Sequence, residues 1–190
     1  MKIITGTAKG KTLRTLSSDD TRPTSERIKE AMFSSIQFDI ESRRVLDLFA
    51  GSGQLGLEAL SRGALSCTFI DSSRDAIDIV KANIAHTGFG DQSKTLVSDA
   101  ANYVRKASGK QIFDLVFIDP PYKLKCATEL LLKIERAGIL ADGALVVIES
   151  GEEIIDTDKL TSFEVTKAKQ YGKKTALHIL LYRKPEVENG

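Results

Sequence analysis

Short apolar runs alternate along this chain with longer stretches in which apolar residues recur every three or four positions. The runs Arg43–Phe49, Ser66–Asp71, Lys94–Ser98, Phe113–Asp119 and Ala144–Glu149 read as strands. Between them, Gln54–Arg62, Arg74–Thr87, Ala100–Ala107 and Thr128–Ala137 read as helices, and Gly63, Gly88 and Gly138 end three of these. Phe113–Asp119, FDLVFID, is almost continuously apolar, as expected of a central parallel strand covered on both faces. Asp142-Gly143 predicts a turn into the fifth strand. Two further β-rich runs, Ser162–Ala168 and Thr175–Arg183, are joined by Gly172-Lys173-Lys174. That spacing is too short for a helical crossover, so the pair is a hairpin. The pattern predicts a doubly wound α/β sheet, parallel except for one inserted antiparallel strand.

Upstream, Ile28, Met32 and Ile36 recur every four residues and predict a helix after Arg22-Pro23-Thr24. Pro23 disfavours helix at Arg22, which makes Thr24 the expected N-cap. Residues 1–16 carry a Gly-Thr-Ala-Lys-Gly-Lys run between short apolar pieces and read as a hairpin-like basic arm. The expected organisation is an arm and helix over residues 1–42, packed on a main domain over 43–190.

A chain of 190 residues is long enough for one domain with a sizeable core. No run approaches the roughly 18 apolar residues that span a membrane, and the N-terminus has no secretory apolar region. Two cysteines make neither a disulfide framework nor a zinc site, so the expected setting is the reducing cytoplasm, with no metal. Nothing resembles a dimer seam, and a monomer is expected. The net charge is +1, yet the positive charge is unevenly spread. Residues 1–18 hold Lys2, Lys9, Lys11 and Arg14 and no carboxylate; residues 165–184 hold six cations and none. Such patches attract phosphate backbones.

The chemistry centres on VLDLFAGSGQLGLEAL, residues 45–60: strand, glycine turn, helix. Gly51-Ser52-Gly53-Gln54-Leu55-Gly56 fits G-x-G-x-x-G, and Asp71 follows about 20 residues later at a strand end, where a carboxylate can bind ribose hydroxyls. By itself this pattern serves nicotinamide enzymes and methyltransferases alike. Asp47 lies in the strand before the turn, where it would repel a pyrophosphate and attract a cationic amino-acid group. Asp99 follows strand three, where it can accept from an adenine amino group. Any one of these carboxylates also reads as a helix cap. Three at successive strand ends point to a ligand, because open α/β sheets bind ligands there.

Asp119-Pro120-Pro121-Tyr122 follows the central strand. Two prolines stiffen the backbone, which suits two fixed acceptors, the Asp119 carboxylate and the Pro120 carbonyl. Both can accept from one exocyclic NH₂ and turn its lone pair towards an electrophile. Tyr122 can stack on an unpaired base. The gain would come from positioning and oriented dipoles, with no metal.

With these motifs the chain resembles the class I S-adenosylmethionine-dependent methyltransferases. Within them it resembles the RsmD family of 16S rRNA (guanine-N2)-methyltransferases, through GTAKGKTL, TRPTSERIKEAMFSSI, DLFAGSGQLGLEALSRGA, Asn83, DPPY and YGKKTALHILLYRK. Gln54 departs from the pattern, where a smaller residue is expected. The resemblance implies a Rossmann-like seven-stranded sheet with the last strand antiparallel. It implies methylation of one guanine N2 amine in the small ribosomal subunit, assembled or assembling. DPPY is shared with amino-methyltransferases of DNA, so it carries the nitrogen chemistry and the N-terminal blocks carry the narrower assignment. Asp47, Gly51 and Gly53 would border the methionine part of the cofactor, Asp71 its ribose and Asp99 its adenine. Asp119 would face both cofactor and base; Pro120, Pro121 and Tyr122 would shape the base site. Lys9, Lys11 and Arg14 would meet RNA phosphates, with Arg22 and Thr24 at the entrance. The alternatives are a methyltransferase for an amino group in DNA or another RNA, an NAD-dependent dehydrogenase, and a non-catalytic ribosome-assembly factor.

Overall fold

Seven strands form one sheet in the order β3-β2-β1-β4-β5-β7-β6 in a computed structural model of the chain. The described residues are 1–15, 23–121, 124–151, 153, 155–172 and 175–185, with side chains undescribed at 23–25. The strands are β1 (Arg44–Asp47), β2 (Ser66–Asp71), β3 (Ser93–Val97), β4 (Phe113–Ile118), β5 (Leu140–Ser150), β6 (Phe163–Tyr171) and β7 (Thr175–Tyr182). β1 to β5 pair in parallel, and β7 runs antiparallel between β5 and β6. The expected single antiparallel strand is therefore β7.

Each face of the sheet buries its own core. On one face α2 (Gln54–Ser61) and α3 (Arg74–Thr87) join the N-terminal helix α1 (Pro23–Ser35). Their apolar stripe, with Met32, Phe33, Leu57 and Val80, packs on Val45, Phe69, Leu115 and Phe117. On the other face α4 (Ala100–Ala107) and α5 (Ala127–Ala137) press Val104, Leu131 and Ile134 onto Leu46, Val116 and Ile148. Alternate residues of β1 and β4 thus feed opposite cores, as a strand covered on both sides requires. At the N-terminal end of β1, the Arg44 guanidinium grips both oxygens of Asp114 on β4, at 2.8 and 2.9 Å. This fork fixes the register of the two central strands, 45↔115 onward, that carry the site at their other end. Gly56 lets α2 lie close to β2: a Cβ there would stand 2.3 Å from the Phe69 ring.

Two local expectations are corrected. α1 begins at Pro23, so Thr24 lies inside the helix and is not its N-cap. Proline's fixed φ and missing N–H suit the first helical position. β5 begins at Leu140, ahead of the predicted Asp142-Gly143 turn. Phe113 pairs with Leu140 and Leu115 with Leu145, so that turn is absorbed as an irregularity within the strand. The Lys173 and Lys174 part of the hairpin turn lies outside the described residues.

The N-terminal arm folds back on itself through a Lys2↔Thr12 bridge and sends Ile3, Ala8 and Leu13 into the core shared by α1, α2 and α3. No described helix is long and apolar enough to cross a membrane.

Candidate functional site

The strand order reverses between β1 and β4, and the space beyond the carboxyl ends of the strands at such a reversal is the usual ligand position in open α/β sheets. Four neighbouring strands deliver acidic side chains to this edge: Asp71 from β2, Asp47 from β1, Asp119 just after β4 and Glu149 from β5. In-register pairing of Asp47 with Phe117, and of Ile118 with Ile148, brings the last three together.

The glycine turn closes over this edge. Gly51 and Gly53 have φ of +53° and +80°, a left-handed conformation that side chains disfavour, and the Gly53 N–H closes the turn onto Ala50 O at 2.6 Å. Asp71 accepts the Gly51 N–H at 2.9 Å and the Ser73 N–H at 2.8 Å. Its carboxylate therefore builds the turn at this edge of the sheet. Gln54 begins α2 with its Oε1 buried and without a hydrogen-bond partner.

Asp47 is 1% exposed. Its Oδ2 accepts the Gly56 N–H at 3.2 Å, whereas its Oδ1 has no hydrogen-bond partner. Burial pushes its pKa up to about 7; the Gly56 amide opposes that rise and the Asp71 charge adds to it. Burial also raises Asp119 well above the usual carboxylate range, helped by Glu149 and then Asp47. An orphaned buried acceptor among mutually repelling carboxylates suits a cationic ligand and disfavours a pyrophosphate.

Asp99 follows β3 and accepts the Asn102 N–H at 3.1 Å, so it caps α4. It also lines a small cleft with Phe49, Ala100, Leu124, Cys126 and Leu130. Glu129 and Lys133, paired with each other at 2.6 Å, line the same cleft, and its apolar side chains beside the Asp99 acceptor suit a flat heterocycle such as adenine. Pro120 is buried and Pro121 exposed; the Pro121 carbonyl accepts the Leu124 N–H at 2.8 Å and turns the chain back towards α5. Glu153 accepts the Ala127 N–H at 2.9 Å, which ties the start of α5 to the segment after β5.

Lys9 and Arg14 have exposed side chains on the arm. Lys11 is engaged: its Nζ donates to the His86 and Thr87 carbonyls at 3.0 and 3.2 Å, at the carboxyl end of α3. Arg22, Tyr122 and the Thr24 side chain lie outside the described residues.

Residues 1–180 match the family described as Conserved hypothetical protein 95. The chain belongs to that family. It is 35% identical over 153 residues to Ribosomal RNA small subunit methyltransferase D of Escherichia coli, covering 80% of this chain and 76% of that one. It is 30% identical over 154 residues to the protein of the same name from Haemophilus influenzae, covering 80% of each. The solved structure of yhhF from Escherichia coli matches with a TM-score of 0.84 and 30% identity, over 97% of this chain and 99% of that one. That of HI0767 from Haemophilus influenzae, at 24% identity and a TM-score of 0.80, shares the fold over 96% and 98%. The Conserved hypothetical protein 95 match reaches all seven strands and stops two residues short of the end of β7.

Glu149 was not among the candidates read from sequence. The signal was present: like Asp71 and Asp119, it is the acidic residue closing an apolar strand run, ALVVIE. Its proximity to Asp119 depends on β4 and β5 being neighbours, which periodicity alone does not reveal.

The raised Asp47 pKa gives a stability prediction with a definite sign. Between about pH 4 and pH 7 the folded protein keeps a proton that the unfolded chain has released, so stability falls as pH rises across that window. Above it the full cost stands, of order 4 kcal/mol by the 1.36 kcal/mol per pKa unit conversion. Asp47→Asn should raise the melting temperature of the ligand-free protein at pH 8, leave it little changed at pH 4, and flatten the slope between. Melting curves of both proteins from pH 4 to 8 check this; parallel slopes would refute it.

Proposed function

We propose that this methyltransferase, with S-adenosylmethionine as its donor, methylates the N2 exocyclic amine of one guanine in 16S ribosomal RNA, on assembled or assembling small subunits in the cytoplasm. The observation that carries the reading is Asp119: a carboxylate with a raised pKa, directly after the central strand, braced by buried Pro120 and beside Asp47. The cofactor, when bound, supplies a methyl group on a sulfonium whose sulfur keeps the bonding electron pair as the methyl departs.

The protein's part is to make a poor nucleophile available. An exocyclic amine shares its lone pair with the base ring. The Asp119 carboxylate and Pro120 carbonyl accept its two N–H groups, so the nitrogen is held with its lone pair towards the methyl. The lone pair forms the new N–C bond, and the nitrogen then sheds a proton. Asp119 is suited to take it, because its pKa lies above that of an ordinary carboxylate. Tyr122 is the proposed stacking partner of the base. Asp47 stands under the methionine part, Asp71 at the ribose and Asp99 at the adenine, with Gly51 and Gly53 giving the close backbone approach. Support for an RNA target comes from the names of the curated relatives and from the arm, whose exposed Lys9 and Arg14 side chains suit contact with phosphates. Arg22 and Thr24 complete the proposed entrance. Lys11 serves the arm better than the RNA, since it already holds the end of α3.

Initial rates of methyl-label incorporation test the substrate class. Unmodified small subunits should be labelled at least tenfold faster than protein-free 16S rRNA and far faster than duplex DNA, and labelling should weaken as salt rises. Preference for DNA or for another RNA would overturn the assignment.

A further inference from the structure

The arm and the glycine turn meet at one side chain. Asn83 lies on α3 and is fully buried, with 0% exposure. Its Oδ1 accepts the Arg14 N–H at 2.8 Å, and its Nδ2 donates to the Arg14 carbonyl at 2.9 Å and to the Ser52 carbonyl at 2.8 Å. The orientation of the amide is fixed by these partners: a flipped side chain would set N–H against N–H and oxygen against two carbonyls. Ser52 is the middle residue of the Gly51-Ser52-Gly53 turn, and Arg14 is a cation of the arm. Both Nδ2 hydrogens and the Oδ1 are therefore committed to holding one backbone segment against the other.

The surroundings make α3 a shared platform. Lys11 of the arm holds the α3 carboxyl end through the His86 and Thr87 carbonyls. The Thr87 hydroxyl donates back to the Asn83 carbonyl at 2.8 Å. On the other side, a Cβ placed on Gly53 would come within 3.4 Å of Val80, so the turn sits directly on α3. Undocking the arm would remove two of the three hydrogen bonds of a buried amide, and would leave Nδ2 to hold Ser52 alone.

We infer that Asn83 is a positioning residue that couples docking of the N-terminal arm to occupancy of the cofactor turn. This rests on the reading that Gly51–Gly53 borders the cofactor. By linkage the coupling is reciprocal: a cofactor that fixes the turn tightens the arm, and a partner gripping the arm at Lys9 and Arg14 tightens cofactor binding. The reaction would then favour the ternary complex over either partner alone. Allosteric couplings of this kind typically amount to roughly 5–150-fold.

The main test uses the whole protein and S-adenosylhomocysteine. Amide hydrogen exchange is followed by NMR at Ala8, Leu13 and the Gly51–Gly53 turn, with and without saturating S-adenosylhomocysteine, and its affinity is measured by calorimetry. In the wild type the turn amides should respond and the Ala8 and Leu13 amides should slow at least fivefold. In Asn83→Ala, binding should weaken about tenfold, and saturation should no longer slow Ala8 and Leu13. With substrate, the same variant should raise KM for S-adenosylmethionine far more than it lowers kcat. Equal slowing in both proteins would overturn the coupling. So would an unresponsive arm in the wild type while the turn responds, a result that decides the matter even if Asn83→Ala fails to fold. Binding with no response at Gly51–Gly53 would overturn the cofactor-turn reading itself.

Discussion

Asp119→Ala should lower the methyl-transfer rate by roughly 10²–10⁴-fold, the range in which positioned proton acceptors act. Three losses combine. The acceptor for the target N–H vanishes, the proton loses the acceptor placed on the amine, and the base is no longer held against Pro120. Binding of S-adenosylhomocysteine should change much less than the rate. Stability should move the opposite way. Asp119 is held up by burial and by Glu149 and Asp47, so its ionised form strains the ligand-free fold. Removing it should raise the melting temperature at pH 8. Increased stability with lost turnover is the signature of a site residue, and a merely structural carboxylate would give the reverse. Turnover within threefold of wild type would remove Asp119 from the mechanism.

Glu58→Ala should cost about 3–5 kcal/mol, the range for breaking a buried ion pair and leaving its partner unpaired. Glu58 is 0% and Lys29 3% exposed, and their Oε2 and Nζ lie 3.3 Å apart. The same carboxylate accepts the Ile4 N–H at 2.7 Å, the Thr5 N–H at 3.0 Å and Arg62 Nε at 2.9 Å. Arg62 in turn covers the Phe33 ring, and Lys29 donates to the Lys2 carbonyl at 2.8 Å. Truncation strands a desolvated ammonium and two arm amides at once. For a domain of this size the melting temperature should fall by roughly 10 °C. The double variant Glu58→Leu with Lys29→Met should recover part of the loss, because no buried ammonium is left unpaired, while Arg62 and the Ile4 and Thr5 amides still lose their acceptor. A single-variant cost below about 1 kcal/mol, of the size a surface pair gives, would contradict the account.

These two residues mark where the sequence could and could not be read. Asp119 was legible because it closes an apolar strand run and precedes two prolines, a local pattern. β2, α3 and α4 were legible to the residue, since their ends carry strong turn or cap chemistry such as Ser73, Gly88 and Asp99. Glu58 was not, because a lone acid on an otherwise apolar helix reads as a surface position. Its partners lie 54 and 53 residues away, on an arm whose docking no periodicity encodes. The contacts of Asn83 and Lys11 between the arm and α3 were opaque for the same reason: they join groups 69 to 76 residues apart. The start of β5 was misjudged because pairing with β4 overrode the turn tendency of Asp142-Gly143. Local chemistry picked out the edge of the sheet where the proposed site lies. Tertiary pairing decided which polar groups hold that edge in shape.

The most direct measurement of the central claim is the identity of the methylated nucleoside. Small subunits lacking the modification are incubated with methyl-labelled S-adenosylmethionine and the protein, and their RNA is digested to nucleosides and separated. Label is expected in N2-methylguanosine and should be lost with Asp119→Ala. Label in a ring-nitrogen, ribose or adenine product, or none while the cofactor still binds, would contradict the claim.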